Sequence, residues 1–233
     1  MPLHRLAMAG QWHWYLLHDR RPLDRHLRLE HPEAMQPLED VGSSRFYLDA
    51  HGTRLFKIVT DKYDWRRRPM KWLLRDLLEK RLSGRFAGYR EYRSNRIIRR
   101  AGLKAVECHA YGVAINPFNA LGSVYVMDYR RDAVSGEPFF LAQGESGRLA
   151  LLKRMCDEAL QLIEHGYAHR DFHYGNVMVD GDGGLIWIDT HVRKLPADPQ
   201  RRRACVEAML SPTKLKGEAY RRWALEYLEA RLV

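Results

Sequence analysis

Cysteine is scarce in this sequence, and long apolar runs are missing. The 233 residues include only Cys108, Cys156 and Cys205, an odd number without any C-x-x-C pair. This scarcity argues against a disulfide framework or a zinc site, so we expect a reducing compartment. No stretch approaches the roughly 20 consecutive apolar residues of a membrane-spanning helix. Polar residues interrupt 1–17, so no secretory signal is expected and a cytoplasmic location is predicted.

Apolar and aromatic residues are present in the amounts typical of a folded protein. Hydrophobic residues make up 45% of the chain, and 11% of the residues are aromatic. Disordered chains lack the aromatic surface that drives collapse. A chain of this length and composition can bury a core, which favours one compact domain or two intimate lobes.

Positive charge is concentrated in one part of the chain. The net charge is +10, and residues 62–104 contain fifteen Lys or Arg against four acidic residues. Such a region attracts nucleic acid, anionic lipid or a phosphorylated substrate, or it is simply a solvated surface. Composition alone does not choose among these readings.

Local patterns predict an extension followed by strands and helices. Residues 1–40 are polar, and Pro22, Pro32 and Pro37 break any long element, so we predict an extension with short helices. Its aromatic cluster, 12–15, is expected to pack on the fold, with contact to lipid headgroups as the alternative. Strands are predicted as a hairpin over 45–59 and over 123–129, 177–179 and 185–188, and helices over 69–81, 87–100, 149–163, 201–210 and 214–232.

The helix predicted over 87–100 has two different faces. At 100° per residue, Glu91, Asn95 and Ile98 lie on one face. The arginines at 93, 96 and 100 lie nearly opposite, so we expect Glu91 to point inward and the arginines outward. Gly102 stands where a helix C-cap glycine is expected.

The segment from His169 to Asn176 reads H-R-D-F-H-Y-G-N. It matches the kinase catalytic-loop pattern, H-R-D with an Asn five positions after the Asp. The tripeptide alone is unremarkable. Its context makes it specific, because an amphipathic helix precedes it and a short hairpin followed by an Asp comes after it.

That hairpin provides a geometric argument for a metal site. Asn176 directly precedes its first strand and Asp189 follows its second, so antiparallel pairing brings the two residues together. Their oxygens are the hard ligands that Mg²⁺ takes when it also holds substrate phosphates. Asp171 is then within reach to accept the proton of an attacking hydroxyl. An ordinary Asp- and Asn-rich turn is the alternative.

Lys57 is the candidate cation for nucleotide phosphates. It lies in the predicted strand R-L-F-K-I-V and alternates with Leu55 and Val59. A lysine on such a partly apolar face is costly to bury unless it is paired, and the inward-facing Glu91 is the partner that we predict. The alternative places Lys57 on an exposed edge and Glu91 on a helix surface.

In this order, these features resemble the protein-kinase-like superfamily over residues 45–195. The segment D-F-H-Y-G-N, the short hairpin and I-D-T resemble bacterial lipopolysaccharide core kinases, and also aminoglycoside and choline kinases. The helix E-Y-R-S-N followed by R-R-A-G-L is most similar to the lipopolysaccharide heptose kinases.

The resemblance implies an α+β fold, a small bilobal protein-kinase-like fold. It has a β-sheet N-lobe with a basic helical region over 41–130 and a reduced helical C-lobe over 131–233. It also implies ATP as donor and Mg²⁺ as cofactor. The implied site residues are the backbone of Met127, Asp128 and Tyr129 for adenine, Lys57 and Glu91 for phosphates, Asn176 and Asp189 for Mg²⁺, Asp171 as catalytic base, and His169 and Arg170 as supporting loop residues.

Three departures from the family pattern stand out. No G-x-G-x-x-G precedes Lys57, and the only candidate phosphate lid is the short segment 42–45. The motif at Asp189 reads D-T-H where protein kinases have D-F-G. The 44 residues after Asp189 contain no A-P-E, so the segment on which protein kinases dock peptides is missing.

That missing segment favours a sugar or small-molecule hydroxyl as acceptor. We expect a heptose of the anionic lipopolysaccharide core oligosaccharide, reached at the cytosolic face of the inner membrane, with residues 62–104 contacting that membrane. A kinase of another small molecule is the nearest alternative, although cationic aminoglycosides normally require an acidic pocket. A pseudokinase scaffold is a further alternative, and nucleic acid is not expected to be the main partner.

Overall fold

The structure is a computed structural model, and it describes residues 1–39, 44–61, 63, 66–74, 78, 84, 86–116 and 121–232. The chain forms two compact units. Unit 1 comprises Met1–Arg93 with Glu107–Arg130, and unit 2 comprises Ser94–Val106 with Arg131–Val233.

Alternating apolar residues build a closed seven-stranded barrel in unit 1. Its strands are β1 (Leu3–Met8), β2 (Gln11–Asp19), β3 (His26–Glu30), β4 (Ser44–Asp49), β5 (Arg54–Val59), β6 (Cys108–Ala114) and β7 (Ser123–Asp128). The order around the barrel is β1-β2-β6-β7-β5-β4-β3. Parallel pairing of β1 with β3 closes the ring, and the other neighbours are antiparallel.

The first 30 residues are strands of this barrel, and the prediction of an extension with short helices is wrong for them. Ala9 and Gly10 both have positive φ, and they join β1 to β2 in a two-residue turn of the kind that suits a hairpin. Pro22 lies between β2 and β3, so it marks a strand boundary. Within residues 1–39, which the structure describes, helical structure is limited to a 3-10 helix (Glu33–Met35) and α1 (Gln36–Glu39).

The predicted hairpin at 45–59 is confirmed as β4 and β5, and the strand at 123–129 as β7. Strand β6 was not predicted. The helix expected over 69–81 is described as α2 (Pro69–Lys71), and part of that range lies outside the described residues. The candidate lid residues 42 and 43 also lie outside them, while residues 44 and 45 belong to β4.

Helix α3 (Ala87–Arg100) has the two predicted faces. Glu91, Asn95 and Ile98 are buried, and Arg93, Arg96 and Arg100 are exposed. The helix ends at Gly102, whose φ of 82° is the left-handed conformation of a C-cap glycine.

Unit 2 is mainly helical around a core built on one long helix. Its elements are β8 (Val134–Ser135), α4 (Gly136–Ala142), α5 (Glu145–Glu164), β9 (Tyr167–His169), a 3-10 helix (Tyr174–Asn176), β10 (Val177–Val179), β11 (Leu185–Trp187), β12 (Val192–Lys194), α6 (Pro199–Glu207) and α7 (Glu218–Glu229). The apolar stripe of α5 is buried, as its spacing predicts. Helices α6 and α7 are shorter than the sequence pattern suggested.

Two small sheets complete unit 2. One has the order β11-β10-β8, and the other pairs β12 with β9. Among the described residues, no helix is long and apolar enough to span a bilayer.

Candidate active site

Helix α3 lies very close to the barrel wall because its second residue is a glycine. A Cβ at Gly88 would stand 2.4 Å from the backbone oxygen of Val124 in β7. A side chain there would therefore push the helix away from the sheet. Glu91 follows one helical turn later on the buried face, which directs its carboxylate at the outer wall of the barrel.

Lys57 stands on that outer wall and forms an ion pair with Glu91. Phe56 and Ile58, its neighbours along β5, point into the barrel core, so Lys57 faces the other way. Its Nζ lies 3.1 Å from Glu91 Oε2, and the two residues are 9% and 1% exposed. Such burial is tolerated because each charge is matched by the other. The predicted Lys57–Glu91 contact is confirmed, and the edge-strand alternative is wrong.

The segment expected to hold adenine is the end of β7 and the residue after it. The N–H of Asp128 donates to the Glu107 carbonyl at 3.1 Å, and the N–H of Tyr129 donates to the Thr53 carbonyl at 2.8 Å. The Asp128 carboxylate also accepts a hydrogen bond from His109 at 2.6 Å. Recognition of a base by these two N–H groups would therefore have to replace a hydrogen bond of the barrel.

In unit 2, His169 is a core residue at the start of segment 169–176, the predicted catalytic loop. It is 1% exposed, and its ring stacks on Trp187 at a centroid distance of 3.9 Å. Trp187 in turn donates from Nε1 to Glu158 on α5 at 2.6 Å. The histidine thus fixes the loop against the core. Arg170 has an exposed side chain, and its N–H donates to the His191 carbonyl at 2.9 Å.

Burial makes His169 a source of acid sensitivity. It lowers the pKa of His169 from 6.5 to about 3, so the folded protein holds this ring neutral. Between these values the unfolded chain binds the extra proton. The contribution of His169 to the free energy of unfolding is therefore complete above pH 6.5, the pKa in the unfolded chain. It is lost progressively as the pH falls from 6.5 towards 3. Burial also lowers the pKa of His173, which acts in the same direction.

We expect His169→Phe to flatten the loss of stability in acid. Phenylalanine keeps the ring stack and removes the titrating nitrogen. Wild-type protein should lose about 2 kcal/mol more than the variant between about pH 7 and about pH 5, measured by urea unfolding. Parallel profiles for wild type and His169→Phe would contradict the assignment.

Asp171 lies in the same loop with two basic side chains beside it. Lys214 donates from Nζ to its Oδ1. His173 Nε2 stands 3.7 Å from its Oδ2. Because His173 Nδ1 accepts from the N–H of Gly175 at 3.1 Å, the neutral ring carries its proton on Nε2, facing the carboxylate. Asp171 is 38% exposed at its side chain, so an incoming hydroxyl can approach it.

Lys214 comes from a turn near the end of the chain that sequence reasoning missed. Leu215 anchors this turn, since it is fully buried and its N–H donates to the Ser211 carbonyl at 2.9 Å. Lys216 and Gly217 follow with positive φ. No local motif marks Lys214, because its partner lies 43 positions away in the sequence.

Asn176 closes the catalytic loop and opens the hairpin. Its Nδ2 donates to the Asp171 carbonyl at 2.7 Å, which leaves Oδ1 as the oxygen ligand of this amide. Its carbonyl accepts from the N–H of Ile188 at 3.0 Å, so the two ends of the hairpin are adjacent, as predicted. Asp189 is the next residue, with its carboxylate 3.7 Å from His191 Nδ1. An amide oxygen and a carboxylate at adjoining backbone positions fit the preference of Mg²⁺.

After Asp189 the chain returns directly to the catalytic loop. Strand β12 pairs with β9, placing Val192 opposite His169. Helix α6 starts at Pro199, capped by Asp198, whose side chain accepts from the N–H of Arg201 at 2.7 Å. The residues between Asp189 and α6 are all described, and they contain no segment long enough to serve as a peptide-docking platform.

Cys108 and Cys156 are buried thiols rather than nucleophiles. Burial raises the pKa of both Cys108 and Cys156 to about 12, so neither forms a thiolate near neutral pH.

Each unit therefore assembles its own set of predicted residues. Unit 1 pairs Lys57 with Glu91, and unit 2 gathers Asp171, Asn176 and Asp189 on one loop and hairpin. A buried Lys–Glu pair together with H-R-D…N and a following Asp is the residue set of protein-kinase-like phosphotransferases.

Comparison with known proteins adds structural neighbours. No protein-family model matches the sequence, and no curated protein matches it. Among solved structures, the chain is similar to WaaP in complex with acyl carrier protein, with 19% identity, a TM-score of 0.48, and coverage of 88% of this chain and 89% of that chain. It is also similar to the bifunctional kinase-methyltransferase WbdD, with 18% identity, a TM-score of 0.46, and coverage of 91% and 40%.

A third neighbour is the PknI kinase domain of Mycobacterium tuberculosis, with 16% identity, a TM-score of 0.39, and coverage of 72% of this chain and 64% of that chain. For these three neighbours the TM-scores are below 0.5 and the identities below 20%. These neighbours therefore assign no substrate, and the roles proposed below depend on the residues of this chain.

Proposed function

We propose that this protein is an ATP- and Mg²⁺-dependent kinase that phosphorylates a sugar hydroxyl, most specifically a heptose of the lipopolysaccharide inner core. The observation that carries the proposal is the accessible Asp171 carboxylate, held in a loop closed by Asn176 and flanked by Lys214. A carboxylate in this position can accept the proton of an alcohol, and the adjoining cation can neutralise phosphate charge.

In the proposed reaction, the acceptor hydroxyl attacks the γ-phosphorus of ATP. The bond between that phosphorus and the bridging oxygen breaks, ADP leaves, and the hydroxyl proton passes to Asp171. Lys214 provides positive charge next to the group in transfer. His173, neutral and with its proton facing Asp171, orients the carboxylate. His169 and Arg170 support the loop from the core side and from its backbone.

The nucleotide is assigned to the remaining predicted residues. Lys57, held by Glu91, would contact its phosphates, and the backbone of 127–129 would hold adenine. Asn176 and Asp189 would hold Mg²⁺, which when bound would neutralise the negative charge of the phosphates. This set retains the charged residues that a pseudokinase can dispense with, which favours an active enzyme.

The acceptor is proposed from charge and from the short connection after Asp189. Without a peptide-docking segment, a small hydroxyl compound is the better acceptor. The exposed arginines of α3 are Arg90, Arg93, Arg96, Arg99 and Arg100. They would attract an anionic, lipid-linked core oligosaccharide, and part of the basic region 62–104 would face the inner membrane.

We expect Mg-ATP to raise the melting temperature of the protein, and Asp189→Asn to remove that increase. Loss of the carboxylate weakens the binding of Mg²⁺, and with it the binding of ATP. The matched control is Asp182→Asn, an exposed aspartate in the turn of the same hairpin, which should respond to Mg-ATP like wild type.

Transfer to dephosphorylated core oligosaccharide, measured in the same preparation, tests the acceptor. Stabilisation with transfer supports the whole proposal. A Mg-ATP melting shift without phosphate transfer to the oligosaccharide would overturn the heptose acceptor and favour another small hydroxyl compound. No stabilisation at all would contradict the kinase assignment and favour a binding module.

A further inference from the structure

The barrel wall formed by β1 and β2 carries large apolar side chains on its outside. Along these strands, Leu6, Met8, Tyr15 and Leu17 point into the core and are essentially inaccessible. The alternate positions face solvent. Their exposed fractions are 41% for Leu3, 37% for Trp12, 43% for Trp14 and 37% for Leu16.

Strand register gathers these side chains into one surface. Leu3 pairs with Leu16, Arg5 with Trp14, and Ala7 with Trp12. We call these six residues the hairpin face. Ile115 extends it, since it is 45% exposed and its N–H donates to the Trp14 carbonyl at 3.0 Å. Single exposed apolar residues are ordinary, but a contiguous group of this kind marks an interaction surface.

Positive charge is interleaved with the aromatic rings. The guanidinium carbon of Arg5 lies 4.3 Å from the Trp12 ring centroid and 5.5 Å from that of Trp14. The parallel strand β3 continues the surface, with His26 beside Arg5 and the exposed Arg28 beside Ala7. Arg25, also exposed, donates to the Leu3 carbonyl at 3.3 Å.

We propose that the hairpin face binds an anionic lipid bilayer. Tryptophan rings favour the headgroup level of a membrane, where the ring is in an apolar setting and its N–H is hydrated. Arginine beside them complements anionic headgroups, and the net charge of +10 acts in the same direction. Leucine side chains on a broad sheet surface can enter the acyl boundary together.

The hairpin face adds a second membrane-binding surface to the one that the proposed function places in region 62–104. It rests on that function only in the expectation that the acceptor is lipid-linked. Bilayer binding itself needs neither ATP nor phosphate transfer, so the two can fail separately.

The test is vesicle co-sedimentation of the full chain without nucleotide. Wild type should bind vesicles of phosphatidylcholine with phosphatidylglycerol and bind poorly to phosphatidylcholine alone. Two double variants, Trp12→Ser/Trp14→Ser and Arg5→Gln/Arg28→Gln, should each bind the anionic vesicles about tenfold more weakly or worse. Brominated lipid should quench tryptophan fluorescence in wild type, and it should quench much less in Trp12→Ser/Trp14→Ser.

Matched controls remove similar groups elsewhere. Val134 and Leu141 are 54% and 56% exposed, and Val134→Ser/Leu141→Ser should retain vesicle binding. Arg201→Gln/Arg222→Gln removes two exposed charges and should have a much smaller effect than the Arg5 and Arg28 pair. Unchanged melting temperatures confirm that the variants fold.

Loss of binding confined to the hairpin-face variants would support the proposal. Equal loss in the control variants would mean that the face has no special role, and would overturn it. Absence of vesicle binding by folded wild type would also overturn it and would turn attention to a protein partner for this surface.

Discussion

Asp171→Asn is expected to reduce phosphate transfer by about 10²–10⁴-fold while leaving the fold and Mg-ATP binding intact. Asparagine has the shape of aspartate but cannot accept the proton of the acceptor hydroxyl. The side chain is 38% exposed and is not part of the core, so its replacement has little structural consequence. The measurement is the rate of transfer at saturating ATP, with the Mg-ATP melting shift recorded on the same samples.

The ion pair with Lys214 requires its own control, because Asp171→Asn also changes that contact. Lys214→Met leaves the base in place and removes the cation, so transfer should fall by a smaller factor. Asp182→Asn controls for the loss of one negative charge from unit 2. Transfer at the wild-type rate in Asp171→Asn would refute the assignment of this residue as the base.

Breaking the Lys57–Glu91 pair is expected to have the largest effect on stability. Glu91→Leu deprives a buried ammonium of this carboxylate, and such changes cost about 3–5 kcal/mol. Lys57→Met should cost a similar amount, because it removes the cation that faces this buried carboxylate. The double variant Lys57→Met/Glu91→Leu places apolar groups on both sides and should recover most of the loss. Urea unfolding of all four proteins measures the coupling.

The same four proteins separate stability from nucleotide binding. The double variant should be folded yet show no Mg-ATP melting shift, since it lacks the proposed phosphate contact of Lys57. The Lys153–Asp157 pair on α5 is the comparison, at 2.9 Å and about half exposed, and its double-mutant cycle should show a much smaller coupling than that of the buried pair. Additive losses at Lys57 and Glu91, or wild-type ATP binding by the double variant, would contradict the assigned roles.

Patterns of short range predicted much of the site. The predicted catalytic loop and the hairpin are contiguous in sequence. Antiparallel pairing alone therefore brings Asn176 next to Ile188, the residue before Asp189. The inward direction of Glu91 follows from helical periodicity, and the preference of a buried lysine for a carboxylate then selects Lys57. These inferences needed no knowledge of how distant segments pack.

The first 30 residues show where such reasoning fails. Prolines and polar residues suggested a loosely structured extension, whereas β1 to β3 complete the barrel. The evidence for this lies in pairing with distant strands, since β2 is joined to β6 almost 100 positions further on. Alternation of Leu6, Met8, Tyr15 and Leu17 with exposed residues was present in the sequence but has meaning only once a partner sheet exists.

The sequence by itself determined the catalytic loop, its neighbouring hairpin and the inward face of α3, because each depends on the conformation of a few consecutive residues. Tertiary structure alone decided three other features: the closure of the barrel, the arrival of Lys214 at Asp171, and the outward position of Trp12 and Trp14. Each requires contacts between residues far apart in the chain. Local propensity carries no information about which distant segment will cover a given face. The packing of the whole unit decides which segment does so.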